Sequence, residues 1–493
     1  MRRFIVAIDQ GTTSTRAILF SLSGKNIYSS QKEFKQYFPK DGWVEHKPNE
    51  IWSTTIKVLK DVINKSNKIK GKILTVGITN QRETTILWDK KTGKPVYNAI
   101  VWQDRRTADF CKKFKTKRKE KLFNKKTGLL IDPYFSATKI KWIIENISVA
   151  KKLIKKKQLL FGTVDTYLLW KLTKGSSHAT DATNACRTML YNITTNKWDD
   201  DILKSLNIPK HILPDVKDSS DYYGLTHASI TGKSYPITSL VGDQQAAAIG
   251  QCCFKRGSVK STYGTGAFVV MNTGDKKIYS RNKLLTTICY RLNGKITYAL
   301  EGSIFIAGAG VQWLRDKIKL INNAFDTEQI AKSLKNNKGV YLVPAFTGLG
   351  APHWNPNARG LLCGLTRNTG KEEIVRAVIE SVAYQSYDLL RAMNKDGLKP
   401  NIIRVDGGMA KNNWFIQFLS NVLNISIYRP QVDETTALGA AFMAGLKIGI
   451  YKSLNDIKKK WKVDKKFKPK IITKKRKKLI IGWSQAIRKT LIH

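Results

Sequence analysis

Asp9-Gln10-Gly11-Thr12-Thr13-Ser14-Thr15-Arg16 puts a carboxylate, a glycine, four hydroxyls and an arginine into one short stretch. Such a set suits phosphate. Backbone N–H and side-chain O–H groups of a tight turn donate to its oxygens, glycine supplies the unusual torsion the turn needs, and a carboxylate at the strand end can hold Mg²⁺ directly or through water. A plain hairpin with a Ser/Thr turn would carry the same residues, so the weight rests on two further clusters. Ser261-Thr262-Tyr263-Gly264-Thr265-Gly266-Ala267-Phe268 again sets a Gly-Thr turn beside an apolar strand, and Ile402 to Val405 runs through Asp406 into Gly407-Gly408, with Asn412 ahead of a helix-like segment at 414–423. Glycines at that junction let a flat ligand lie on backbone, and Asn412 can hydrogen-bond a polar ring or ribose edge.

The elements that must position these residues are short apolar runs. Phe4-Ile5-Val6-Ala7-Ile8 and Ala17-Ile18-Leu19-Phe20 read as paired strands about the first turn, and strand-like and helix-like segments alternate along the whole chain. That alternation predicts α/β domains with largely central sheets. Two similar hairpins half a chain apart predict two similar domains facing one nucleotide, each giving a phosphate loop. The boundary is expected near 251–257, which divides the chain into domains 1–251 and 252–493. A length of 493 residues, with 42% hydrophobic, is more than one core usually serves.

Composition narrows the function classes. The first apolar run stops at Asp9, before a signal core or a membrane span forms, and 296–314 reads as buried strand and helix starts. The expectation is a soluble, cytoplasmic protein without a membrane span. The six cysteines contain no C-x-x-C pair and the six histidines show no ligand spacing, which suggests neither a disulfide framework nor a zinc site. The net charge of +49 raises nucleic-acid or anionic-surface binding as a class. The basic runs, such as Lys151 to Lys157 and Lys474 to Lys478, are scattered, lysine-dominated and without interleaved aromatics, so they read as solvated faces with weak, salt-sensitive polyanion binding and no specific nucleic acid.

With these clusters in place the chain resembles the glycerol kinases of the FGGY sugar kinase family, in the actin-like ATPase superfamily, from about Ile5 to about Trp483. The resemblance is carried by Gly42-Trp43-Val44-Glu45-His46, Asn80-Gln81-Arg82-Glu83-Thr84-Thr85, Trp102-Gln103-Asp104-Arg105-Arg106, Gly242-Asp243-Gln244-Gln245 and Pro344-Ala345-Phe346-Thr347-Gly348. It implies an α/β fold of two duplicated ribonuclease H-like domains with a catalytic cleft between them, and hinge closure over it. The implied activity is ATP-dependent phosphorylation of glycerol to sn-glycerol 3-phosphate, the first step of glycerol use, with ATP and Mg²⁺ as cofactors. The family commonly forms homodimers or homotetramers.

Residue by residue, the resemblance maps polar glycerol contacts onto Arg82, Glu83, Tyr134, Asp243 and Gln244, and apolar walls onto Trp102 and Phe268. Thr12, Thr13, Ser14 and Arg16 would meet the β- and γ-phosphates from the first domain and Thr265 from the second. Gly308, Gln312, Gly408 and Asn412 would hold the rest of ADP, and Asp9 and Asp243 would reach Mg²⁺ through water. A glycerol hydroxyl is a poor nucleophile, so Asp243 is expected to accept its proton. A loose transition state, in which the proton leaves late, would leave Asp243 only orienting glycerol. A pentulose or polyol kinase, which would keep the phosphate hairpins, and an idle binding protein are the rival readings. The loop Ser229 to Pro236 lacks the arginine that some members use for a sugar bisphosphate inhibitor, with Lys233 as a partial substitute, and His227 lacks the aromatic setting of a phosphorylated histidine, so regulation is not legible in the sequence.

Overall fold

The computed structural model describes residues 2–355 and 357–492. Contacts divide the chain into two units that are not simple halves. The first comprises Met1–Cys252, Thr286–Tyr298 and Glu434–Trp461, and the second Cys253–Leu285, Ala299–Asp433 and Lys462–His493.

The first unit is built on a six-stranded sheet in the order Ser220–Leu225, Pro236–Gly242, Gly71–Asn80, Arg2–Gln10, Ser14–Ser21, Asn26–Glu33. Arg2–Gln10 and Ser14–Ser21 form the predicted antiparallel hairpin, with Asp9 opposite Arg16. Gly71–Asn80 then adds in parallel to Arg2–Gln10, and Pro236–Gly242 adds in parallel to Gly71–Asn80. Strands that are covered on both faces read as unbroken apolar runs, which is why Phe4 to Ile8 shows no alternation. The helix Pro48–Lys68 contributes one cover, burying Ile51, Thr55, Val58, Leu59, Val62 and Ile63 at helical spacing.

The helices Asp243–Gly250 and Thr435–Lys447 pack so closely that neither tolerates a side chain at the crossing. A Cβ on Gly439 would lie 1.8 Å from the Ala246 carbonyl oxygen, and one on Gly250 would lie 1.9 Å from that of Thr435. A Cβ on Gly77 of the sheet would lie 2.5 Å from the Ala440 carbonyl oxygen. This glycine-lined packing is the physical reason Glu434–Trp461, late in the sequence, belongs to the first unit.

The second unit repeats the topology. Its sheet carries, in order, Ala267–Gly274, Ser258–Tyr263, Ile402–Asp406, Ile427–Pro430, Val463–Phe467. The hairpin Ser258–Tyr263 with Ala267–Gly274 is antiparallel, two parallel strands follow, and an antiparallel edge closes the series. Its mainly aliphatic core includes packed aromatics: Tyr384 stacks on Trp483 with centroids 5.3 Å apart, and Tyr263 meets Phe415 edge-on at 5.1 Å. The duplication expected from the two hairpins is therefore present at the level of strand order. The stretch expected as buried strand and helix start contains Lys295–Ile304 and the start of Gly308–Asp316.

Candidate active site

In the first unit, three neighbouring parallel strands end together, since Gln10 and Gly242 both stand level with Asn80. Ligands in such sheets bind outside the carboxyl ends of the strands. Those ends deliver Asp9 with the hydroxyl turn, Arg82 with Glu83, and Asp243 at the first position of its helix.

The hydroxyl turn closes through Gly11 N–H donating to the Ser14 carbonyl at 2.9 Å. Gln81 braces it from the adjacent strand end, its Nε2 donating to the Gly11 carbonyl at 3.0 Å and to Gln10 Oε1 at 3.1 Å. Thr12 Oγ1 accepts from Trp102 Nε1–H at 3.0 Å, Ser14 Oγ accepts from Gln31 Nε2 at 3.2 Å, and exposed Thr13 accepts at its carbonyl from Phe34 N–H. Arg16 donates from Nε to Gln31 Oε1 at 3.0 Å and pairs with Glu434. Burial pushes the Asp9 carboxyl up to about 7; Arg16 opposes this, while the neighbouring charges of Asp243 and Glu434 add to it.

The Arg82–Glu83 pair, adjacent in sequence and at first sight an ordinary surface ion pair, is buried at 2% exposure for each side chain and each member has a further partner. Arg82 Nε stands 3.1 Å from Asp243 Oδ1 but 3.8 Å from Glu83 Oε1, and Arg82 Nη1 donates to Gln245 Oε1 at 3.1 Å. Glu83 is also held by Arg187, whose Nε donates to Glu83 Oε1 at 2.6 Å. The backbone at Glu83 is unusual. Glu83 has φ +61° at the centre of a three-residue turn closed by Thr84 N–H to the Arg82 carbonyl at 2.7 Å. That γ-turn hand is strained, costing roughly 1–3 kcal/mol for a non-glycine residue.

Donors converge on the strained residue. Its carbonyl accepts from Ser136 Oγ–H at 3.0 Å, from Thr85 Oγ1–H at 3.1 Å and from Lys139 Nζ at 3.5 Å. Lys139 Nζ also donates to the Tyr134 carbonyl at 2.8 Å. Burial drives the Lys139 ammonium down to about 7, against the opposing pull of Glu83. The rings of Trp102 and Tyr134 meet edge-on with centroids 5.8 Å apart, so these two predicted acceptor contacts stand side by side. Asp243 is 29% exposed and receives a hydrogen bond at Oδ1 from the Gln244 N–H at 2.7 Å, while Gln244 is buried.

The second unit presents its own cluster at matching strand ends, because Thr262 stands level with Asp406 and donates to its carboxylate. Thr265 lies in a turn closed by Gly264 N–H to the Gly266 carbonyl at 2.9 Å, and Gly308 N–H donates to the Gly264 carbonyl at 2.9 Å. A Cβ on Gly308 would lie 2.6 Å from that carbonyl oxygen, so only glycine lets the helix Gly308–Asp316 start there. Gln312 is exposed on this helix, and Gly408 has open space where a Cβ would be. Asn412 serves as a helix N-cap, Oδ1 accepting from Phe415 N–H at 2.9 Å and Nδ2 donating to Thr327 Oγ1 at 3.2 Å. Phe268 is half-buried on Ala267–Gly274.

The structure thus brings together Asp9, Arg16, Arg82, Glu83, Asp243 and the hydroxyl turn in one unit, and Thr265 and Gly308 in the other. Sequence reasoning missed Arg187, Lys139, Gln245 and Glu434. Gln245 was legible as the second glutamine of Gly-Asp-Gln-Gln; the other three carry no local signal.

Two family descriptions cover most of the chain: the N-terminal domain of the FGGY family of carbohydrate kinases matches residues 4–250, and its C-terminal domain matches 259–448. Glycerol kinase 1 of Pseudomonas aeruginosa is 53% identical over 489 residues, covering 99% of each chain. A glycerol kinase of Coxiella burnetii is 55% identical over 492 residues, covering 100% of this chain and 98% of its own. The crystal structure of Plasmodium falciparum glycerol kinase with ADP superposes with a TM-score of 0.95 at 41% identity, covering 100% of this chain and 99% of that one. On the strength of the two matched domains and of relatives similar over their whole length, the chain belongs to the FGGY family of carbohydrate kinases.

Proposed function

We propose that this chain transfers the γ-phosphoryl group of ATP to glycerol, giving sn-glycerol 3-phosphate. The observation that carries the reading is the buried Arg82–Glu83 pair with Asp243 beside it, set at the ends of parallel strands next to a hydroxyl turn, in a chain whose full-length relatives are named glycerol kinase. Glycerol is three hydroxyls on a short carbon chain, and a site built to hydrogen-bond hydroxyls rejects analogues lacking them. Arg82, Glu83, Tyr134, Asp243 and Gln244 supply polar contacts, while Trp102 and Phe268 supply apolar surface.

Phosphoryl transfer asks mainly for alignment and charge stabilisation. In the first unit Thr12, Thr13, Ser14 and Arg16 are assigned to the β- and γ-phosphates. In the second, Thr265 is assigned to phosphate, and Gly308, Gln312, Gly408 and Asn412 to the rest of the nucleotide. The acceptor hydroxyl attacks the γ-phosphorus, the bond to the bridging oxygen of ADP breaks, and Asp243 takes the hydroxyl proton. Arg82 Nε and the Gln244 N–H both approach Asp243 Oδ1, which orients the carboxylate for that role.

Among the described residues no group of three or more His, Cys, Asp or Glu side chains is arranged to hold a metal by itself. Asp9, raised by burial and by the carboxylates nearby, fits a cation that phosphate oxygens and water help to hold, with Asp243 as the second carboxylate. Bound there, Mg²⁺ would neutralise charge on the phosphates. No described helix is long and apolar enough to cross a membrane; cytoplasmic residence and a homodimer or homotetramer complete the proposal.

The test is ADP release from Mg-ATP with glycerol, dihydroxyacetone, xylulose, ribulose or no acceptor, with phosphorus NMR of the product. Strong glycerol dependence with glycerol 3-phosphate formed is expected. Preference for a pentulose would overturn the acceptor assignment, and no turnover with any acceptor would overturn the activity.

A further inference from the structure

Two buried cations outside the predicted site reach both sides of the acceptor corner. Arg187 follows the short helix Ala182–Ala185, which is capped by Asp181, and has no exposed surface. Its Nε holds the Glu83 carboxylate at 2.6 Å, and its guanidinium lies 5.5 Å from the Tyr134 ring centroid and 5.3 Å from that of Phe135. Lys139, on the helix Ser136–Asn146 and also without exposed surface, donates to the backbone carbonyls of Tyr134 and Glu83. The pair therefore holds Glu83 by side chain and by backbone, and Tyr134 by ring and by backbone.

We infer that Arg187 and Lys139 are positioning residues that set the affinity and selectivity for the acceptor alcohol. The inference rests on the proposal that Glu83 and Tyr134 bind glycerol, and it assigns the second layer of that site. Arg187 Nε meets Glu83 Oε1 at 2.6 Å, and Arg82 Nε stands 3.1 Å from Asp243 Oδ1 and 3.8 Å from Glu83 Oε1. Lys139 fixes the carbonyl of a residue at φ +61°, a backbone state a loop keeps only when its surroundings over-determine it. Arg187 and Lys139 reach Glu83 and Tyr134, whereas the hydroxyl turn is braced by Gln81 and Gln31.

The variants Arg187→Gln, Arg187→Lys and Lys139→Met, each checked by circular dichroism and thermal melting, separate this role from a general one. Losing a hydrogen bond to a charged group should raise KM for glycerol about 10- to 100-fold. KM for ATP and calorimetric affinity for ADP should stay within about two-fold, because the nucleotide residues lie elsewhere. Arg187→Lys should recover part of the loss, since it keeps the charge without the planar fork. Discrimination between glycerol and a diol lacking one hydroxyl should narrow in Arg187→Gln and Lys139→Met. Folded variants with unchanged KM for glycerol, or with KM for ATP raised in equal proportion, overturn the inference, as does failure of all three to fold, which makes the role structural. Absence of glycerol turnover in the unaltered protein refutes the proposed function instead and is seen before any variant is made.

Discussion

Gly439→Ala tests how helix packing reaches the chemistry. The added Cβ would sit 1.8 Å from the Ala246 carbonyl oxygen, 2.6 Å from its carbon and 3.0 Å from Gly250 N, all backbone atoms that cannot swing aside. Restoring an ordinary contact requires the helices Asp243–Gly250 and Thr435–Lys447 to part by about 1.5 Å, and overpacking of this kind costs about 1–3 kcal/mol. A backbone-to-backbone clash belongs at the upper end, and the helix-propensity gain of alanine over glycine returns about 1 kcal/mol. The net loss of about 2 kcal/mol should lower the melting temperature by about 3 °C for a unit of this size. Asp243 opens the displaced helix, and a misplacement of about 1 Å can lower turnover by about 10²-fold. Gly294→Ala is the control: φ is +72° there, but nothing lies within 4 Å of the added atom. It should show the torsional cost of about 1–2 kcal/mol with kcat intact. Thermal melting and steady-state kinetics on both variants decide the matter, and a Gly439→Ala protein with unaltered melting temperature and kcat refutes the argument.

Asp243→Asn should lower kcat by about 10²–10⁴-fold while ADP still binds by calorimetry, and near-normal turnover would leave Asp243 as an orienting group only. Glu434→Gln removes a carboxylate beside the proposed phosphate residues, and because the Arg16–Glu434 pair is partly exposed, KM for ATP should fall by only about two- to five-fold; a rise contradicts the assignment of Arg16. His46 is buried, and burial drives its imidazole from the ordinary 6.5 down to about 4. Between those values the unfolded chain binds more protons than the folded one, so stability falls as pH drops through the window, by about 3 kcal/mol at pH 4. His46→Gln should flatten the melting temperature across that window relative to the parent, and an unchanged pH dependence contradicts the linkage.

What the sequence made legible was whatever depends on neighbours in the chain. The hairpin around Gly11, the strand and glycines at Ile402 to Gly408, and the helix start after Asn412 all follow from apolar runs broken by turn residues, and the observed elements match them. Asn412, read from the sequence for a ring or ribose edge, also caps that helix, its Oδ1 accepting from Phe415 N–H. The placement of Glu434–Trp461 in the first unit was not readable. It depends on Gly439 and Gly250 meeting carbonyls far away in sequence, and a glycine in a helical run gives no sign of what approaches it.

The buried charges show why the rest of the site stayed hidden. Arg82 and Glu83 are neighbours of opposite sign, and proximity in sequence favours their pairing. The γ-turn at Glu83 loosens it: Arg82 Nε lies 3.8 Å from Glu83 Oε1 and 3.1 Å from Asp243 Oδ1, and Arg187 adds a second cation on Glu83 at 2.6 Å. Each of these buried ions therefore has a partner on another element, and removing a partner from a buried ion is strongly destabilising. The turn cannot keep its strained torsion unless Ser136 and Lys139 of the helix Ser136–Asn146 are docked on its carbonyl. The acceptor corner is in this sense a product of the folding of the first unit, and Arg82–Glu83 acquires its chemistry only when Asp243, Lys139 and Arg187 have arrived from their own elements.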